Sequence, residues 1–96
     1  MIHTSKLQAE VKKGWTSICG IWKNKTLAER CGLPAFTIIV KRNPNAWAGP
    51  DVSPLLATVE SGPFSVIKPA PGGTRYEAAQ NLITTAMAMH AKEGAR

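Results

Sequence analysis

The segment that follows the pair Gly72-Gly73 constrains the fold most. Thr74-Arg75-Tyr76-Glu77 has the pattern of a capping box, in which the hydroxyl accepts from the N–H three residues on and the acid reaches back to the N–H of the cap. The residues after it are rich in Ala, Met, Leu, Glu and Gln, all good helix formers. An apolar stripe recurs at helical spacing, at Ala79, Leu82, Ile83, Ala86 and Met89. The pattern predicts a helix over 75–92 that packs closely on a sheet or another helix.

Two earlier segments begin with the same spacing of Ser or Thr and Glu or Gln. Ser5-Lys6-Leu7-Gln8 predicts a short helix over 6–13, ended by Gly14. Its apolar face is small, so it must dock on the rest of the chain to persist. Thr26-Leu27-Ala28-Glu29 predicts a second short helix.

The chain between these helices has the character of β-strands. The segment 36–40 is dense in β-branched residues, which fit a pleated surface. Segments 55–59 and 64–67 flank a Gly-Pro turn and predict a hairpin, and 16–22 predicts a further strand. The proline-containing segment 43–54 predicts a long loop, and 69–73 a stiff connection.

The length and composition fit one domain over residues 1–96. The order of elements predicts an α+β fold, with a small, mainly antiparallel sheet of three or four strands. The C-terminal helix would pack on one face and the short helix would lie at the N-terminus. No apolar run approaches the ~20 residues that span a bilayer, and the N-terminus lacks the apolar core of a secretory signal. We therefore expect a cytoplasmic protein, with two cysteines that act as small buried apolar residues.

The net charge of +6 lies entirely in the first half of the chain. Residues 1–42 hold eight basic groups and two acids, whereas residues 43–96 hold four of each. Such an asymmetry attracts phosphates or acidic surfaces. The candidate residues for an anionic partner are Lys12, Lys13, Lys23, Lys25, Arg30, Lys41 and Arg42.

Two resemblances to nucleic-acid-binding folds bear on the partner. Segment 27–38, with a small residue at Ala28 and Gly32 at a turn, resembles a helix-turn-helix, which implies a recognition helix over 35–43. The run 37–40 favours a strand instead, and the two predictions are incompatible. The order of hairpin, Gly-rich link and last helix is similar to that of double-stranded-RNA-binding domains. Their last helix begins with a basic cluster, where this chain has Arg75 alone.

The aromatic residues divide into two groups. Trp15 and Trp22 are seven residues apart and are expected in the core. Trp47 lies in the proline-containing loop, where no periodicity asks for burial, and is a candidate anchor for a partner. Residues that could catalyse a reaction or bind a metal do not cluster: His3 and His90 lie near opposite ends of the chain, with no cysteine or carboxylate at metal-ligand spacing. We expect neither an enzyme nor a cofactor.

The sequence therefore indicates a small binding protein. The leading interpretation is nucleic-acid binding through the basic N-terminal half. The alternative is a protein-binding inhibitor or adaptor, of the type that phages and mobile elements encode. It would bind an acidic surface of a host complex and block that complex. Self-association is left open by the alanine-rich helix and the apolar edge strands.

Overall fold

Five strands of the chain pair in sequence order into one antiparallel sheet. The computed structural model describes residues 4–34, 36–44, 53–60 and 67–94. The elements are α1 (Thr4–Glu10), β1 (Thr16–Ile18), β2 (Ile21–Asn24), α2 (Leu27–Arg30), β3 (Ile38–Arg42), β4 (Leu55–Val59), β5 (Ala70–Gly72) and α3 (Arg75–Gly94). The α+β class is confirmed, with its short N-terminal helix and its C-terminal helix across the sheet; the sheet has five strands rather than three or four.

The core lies between α3 and one face of the sheet. Residues opposite each other on antiparallel strands share a face, and Val40 pairs with Ala57, which pairs with Ala70. From α3, the buried residues are Ala78, Ala79, Leu82, Ile83 and Ala86. The predicted stripe is thus confirmed, with Met89 only partly buried. The Thr74 hydroxyl accepts from the Glu77 N–H at 3.1 Å, as the capping pattern predicts.

The region 16–22, predicted as one strand, is a hairpin. β1 and β2 are joined by Cys19-Gly20, a two-residue turn with φ values of 53° and 80°. Two positive φ values are typical of a type I′ turn, which usually has Asn-Gly or Asp-Gly at these positions. The turn was missed because Cys at the first position gives no such signal. Cys19 is exposed there, so its predicted burial is wrong, whereas Cys31 is buried.

The strand prediction for 36–40 is confirmed by β3, so the helix-turn-helix interpretation is wrong. The β-branched side chains fit the pleat and Ile38 and Val40 are buried in it. β4 pairs with β3 on one side and with β5 on the other, and β5 lies within the segment predicted as a stiff connection and not within the predicted strand 64–67. Of the strand predicted over 64–67, only Ile67 lies within the described residues, and it is buried. Most of the predicted loop over 43–54, including Trp47, also lies outside them.

Replacing Cys19 by Asn should stabilise the protein by about 0.5–1 kcal/mol. The left-handed conformation costs a residue with a Cβ roughly 1–2 kcal/mol, and Asn tolerates it best after Gly. Urea denaturation of the wild type and C19N measures the difference. The control is C19A, which keeps the Cβ and removes the thiol. Equal stabilisation by C19A would show that the thiol, and not the backbone, is the cause.

Candidate binding surface

The face of the sheet opposite the helices carries a separate set of side chains, which we call the open face. All three helices contribute their buried residues to the core on the other side. Alternation along each strand and the register of the strand pairs place nine residues on this face. They are Thr16, Ile18, Ile21, Lys23, Ile39, Lys41, Leu56, Thr58 and Pro71.

An apolar row crosses the open face from one edge of the sheet to the other. Ile18 pairs with Ile21 on the first two strands, and Leu56 pairs with Pro71 on the last two. Lys41 joins the two halves, because it pairs with Leu56 and lies at the level of Ile21. Ile18 is 71% exposed and Ile21 is 38% exposed, which makes them the exposed large aliphatic residues of the described chain. Five strands at about 4.8 Å give this row a length of about 19 Å.

Two of the predicted cations, Lys23 and Lys41, lie on the open face. Lys23 is directly opposite Ile39, and Lys41 is its diagonal neighbour on β3. The Lys23 ammonium lies 3.5 Å from the Glu60 carboxylate, an exposed ion pair that orders the side chain and contributes little to stability. Lys41 is exposed and forms no ion pair with any described residue. The open face therefore carries two lysines, each next to isoleucines, and Glu60 pairs with one of them.

The other predicted cations do not join this surface. Lys12 and Lys13 are exposed just after α1, and Lys25 is exposed just after β2. Arg42 is exposed at the end of β3, but alternation puts it on the side opposite Lys41. The basic excess of the first half is thus divided among several parts of the molecule.

Arg30 links the short helices instead of facing a partner. Its Nε donates to the Glu10 carboxylate at 2.6 Å, and its Nη2 donates to the carbonyls of Glu10 and Lys13 at 2.9 and 3.0 Å. Its Nη1 donates to the Thr26 hydroxyl. These donors join the end of α1 to the start of α2. The partners lie up to twenty residues away in the sequence, so no local pattern could reveal them.

The junction makes stability depend on the ionisation of Glu10. The hydrogen bond from Arg30 is the main reason that the pKa of Glu10 lies below its usual range, and the charge of Lys13 acts in the same direction. A carboxylate with a lowered folded-state pKa adds stability above its unfolded pKa. That stability is lost as the pH falls through the folded pKa.

We expect E10Q to be less stable than the wild type at pH 7, with a difference that shrinks as the pH is lowered below about 4. The amide keeps one acceptor but loses the charge that Arg30 and Lys13 attract. Urea denaturation at several pH values measures this. E29Q is the control, since Glu29 is exposed and forms no ion pair in the described chain. A constant gap between E10Q and the wild type from pH 7 to pH 3 would contradict the prediction.

The two described tryptophans are packed against the core, as predicted. The Trp15 Nε1 donates to the Val11 carbonyl at 2.5 Å. The Trp22 ring is covered by the Arg75 guanidinium, whose central carbon lies 3.8 Å from the ring centroid. Arg75 also donates to the Tyr76 hydroxyl at 2.8 Å. The Arg75 guanidinium thus occupies a face of the Trp22 ring on which a base could otherwise stack.

The remaining reactive groups that the structure describes lie on separate elements. Burial raises the pKa of the Cys31 thiol, which keeps it protonated and unreactive. His90 is exposed on α3. No three His, Cys, Asp or Glu side chains converge on a metal position in the part of the chain that the structure describes. Nor does that part contain a helix long and apolar enough to cross a membrane.

The fold and the open face define a small α+β domain with helices on one side of its sheet. Comparison with protein-family models, curated proteins and solved structures finds no match for this chain.

Proposed function

We propose that the protein is a non-enzymatic protein-binding module, an inhibitor or adaptor whose contact surface is the open face. The observation that carries this proposal is the apolar row of exposed and half-buried side chains, with Lys41 at its centre and Lys23 beside it. Protein interfaces combine an apolar centre with a polar rim. A phosphate backbone offers no counterpart to Ile18 and Ile21, whereas an apolar protein surface does.

The charge of the module indicates an acidic partner. Complementary charge steers association and selects among partners. The net charge of +6 would attract an acidic protein and repel basic ones. Cys19 is an exposed free thiol, which is suited to a reducing compartment. We accordingly place the interaction in the cytoplasm.

Affinity capture from a nuclease-treated lysate of the source cells tests the proposal. The wild type should retain a protein partner that the variant I18S/I21S loses, since polar replacements remove the apolar contact but leave the sheet backbone paired. The control A88S/A91S changes two exposed residues of α3 and should retain the partner. Failure of the wild type to retain any protein, or equal retention by all three, would contradict the proposal.

Nucleic-acid binding is the second candidate. It is favoured by four of the seven predicted cations, which are exposed and form no ion pair with described residues: Lys12, Lys25, Lys41 and Arg42. Each phosphate that they neutralise would release a counterion, so binding should weaken steeply as salt rises. A gel shift with mixed-sequence DNA and RNA at about 50 and 200 mM salt measures this. Absence of a shift at the lower salt would exclude this candidate.

A further inference from the structure

We infer that the open face docks an amphipathic helix of an acidic protein, which seats an aliphatic ridge on the apolar row and places carboxylates against Lys23 and Lys41. This inference rests on the proposed protein-binding function and specifies the occupant of the surface. It follows from the position of the lysines, the pairing of the sheet and the charge of the chain.

The centre of the open face is a square of four side chains on two strands. Ile21 and Lys23 stand on β2, and Ile39 and Lys41 stand on β3. Lys23 is opposite Ile39, and Lys41 is level with Ile21, so each lysine stem has an isoleucine beside it and another along its strand. The two lysines occupy one diagonal, about 7–8 Å apart at the backbone.

The spacing of this square matches a helix surface. Residues four apart on a helix have Cβ atoms about 5–6 Å apart, so two acids at i and i+4 can reach both ammonium groups. The apolar row of about 19 Å corresponds to about 13 helical residues at 1.5 Å each. On the other side of the same sheet α3 lies across β3, β4 and β5, so this sheet already packs a helix. A docked helix would form a third layer.

A helix also fits better than a strand, because the sheet offers little edge to pair with. β1 has three residues, and β5 contains Pro71, which has no N–H to donate. In a helix every central backbone group is already paired, so docking needs only side-chain contacts. The open face provides side chains alone, since its central strands are paired on both sides.

Charge selects the partner over a second copy of the chain. Two open faces in contact would bring the lysines of two molecules, each of net charge +6, against one another. The Lys23 side chain pairs with Glu60 but stays 38% exposed, so its ammonium can also meet a carboxylate of the partner, and Lys41 forms no ion pair with any described residue. Acidic groups beside an aliphatic ridge are the complement of this arrangement.

Two designed peptides of 18 residues test the inference by fluorescence anisotropy. Both carry the same leucine ridge on an alanine-rich helix; one has Glu at the flanking positions and the other has Lys at those positions. The Glu peptide should bind the wild type at least about tenfold more tightly than the Lys peptide. In NMR spectra recorded as the Glu peptide is added, the backbone amide signals that shift should belong to the open face. They should not belong to the groove between α1 and α3, which is lined by Lys12, Tyr76 and Gln80.

Matched charge variants show whether the lysines act locally. K23Q/K41Q should weaken binding of the Glu peptide about tenfold, whereas K6Q/K92Q, which changes two other exposed lysines and the net charge by the same amount, should weaken it less than about twofold. Circular dichroism and thermal unfolding check that both variants are folded. Equal weakening by the two variants, or no binding of the Glu peptide to the wild type, would overturn the inference.

The outcomes separate this inference from the proposal beneath it. The wild type can retain a partner from the lysate that I18S/I21S loses and still fail to bind the Glu peptide. That result overturns the inference of a docked helix and leaves the proposed protein binding in place. No retained partner and no peptide binding overturn both. If a mixed-sequence oligonucleotide displaces the peptide and its binding requires Lys23 and Lys41, the open face binds nucleic acid, and the inference of a docked helix is overturned. If the protein forms a dimer that K23Q/K41Q strengthens, the open face binds a second copy of the chain, and the inference of a docked helix is overturned.

Discussion

Replacement of Gly72 by Ala is expected to lower the free energy of unfolding by about 3 kcal/mol or more. Gly72 is the last residue of β5 and is buried where the sheet meets the start of α3. A Cβ at this position would lie 2.7 Å from the Ala78 Cα and closer still to its backbone nitrogen. These atoms belong to the backbone of a long helix, so no side-chain rotation can relieve the overlap. The strand and the helix would have to separate.

Thermal unfolding provides the measurement for G72A. A domain of this size loses about 4–8 °C of its midpoint for each kcal/mol, so the midpoint should fall by more than about 12 °C. The neighbouring variant G73A is the matched control, because a Cβ there would meet only the Glu77 carboxylate at an ordinary 3.5 Å. A fall of a few degrees for G72A, similar to that of G73A, would contradict the prediction.

The helix α3 could be predicted from the sequence because all of its determinants are local. A cap at Thr74, strong helix formers and a stripe at helical spacing act within one segment. The strand β5 shows the opposite case. Ala70-Pro71-Gly72 has low β propensity, and it forms a strand because β4 supplies the hydrogen-bonding partner and the small residues admit α3. That reason lies in the tertiary structure.

The candidate surface was predictable only in part, because charge along a sequence does not show which face of a sheet carries it. The concentration of basic residues in the first half is visible from composition. Their division between Lys41 on the open face and Arg42 on the other side depends on the alternation of β3. Both faces of this strand are aliphatic at 38–40, so the pattern alone could not assign them. The exposure of Ile18 depends on the Cys19-Gly20 turn after β1. It was not predicted because that turn lacks the usual Asn-Gly or Asp-Gly sequence.

The pairing of charges within the chain was also out of reach of the sequence. Arg30 was predicted as a residue for an anionic partner because it belongs to the basic excess of residues 1–42. In the structure its donors meet Glu10 and backbone carbonyls at the end of α1. The net charge of +6 is unaffected by this, but the cations free to meet a partner are fewer than composition suggests. For this reason we propose a defined apolar surface as the contact site and not a diffuse basic one.

Replacement of Asn24 by Ala is expected to cost about 3 kcal/mol, because it removes three hydrogen bonds to backbone groups and leaves the buried Leu27 N–H without its acceptor. The side chain is 0% exposed and is the buried polar side chain of the described core. Its Nδ2 donates to the Lys13 carbonyl at 2.6 Å, and its Oδ1 accepts from the Thr26 and Leu27 N–H groups at 3.1 and 2.9 Å. One residue thus ties β2 to the turn after α1 and to the start of α2.

Two further variants show which of these bonds matters. N24D keeps the acceptor for α2 but replaces the donor with an oxygen that faces the Lys13 carbonyl, so it should also be strongly destabilised. N81A is the control, since Asn81 is exposed and makes a single bond to the Pro71 carbonyl at 2.8 Å. It should lose about 1 kcal/mol or less. Urea denaturation at pH 7 measures the free energy of unfolding of all three variants. If N24A loses no more stability than N81A, packing and the Arg30 hydrogen bonds hold α1 and α2 in place without Asn24.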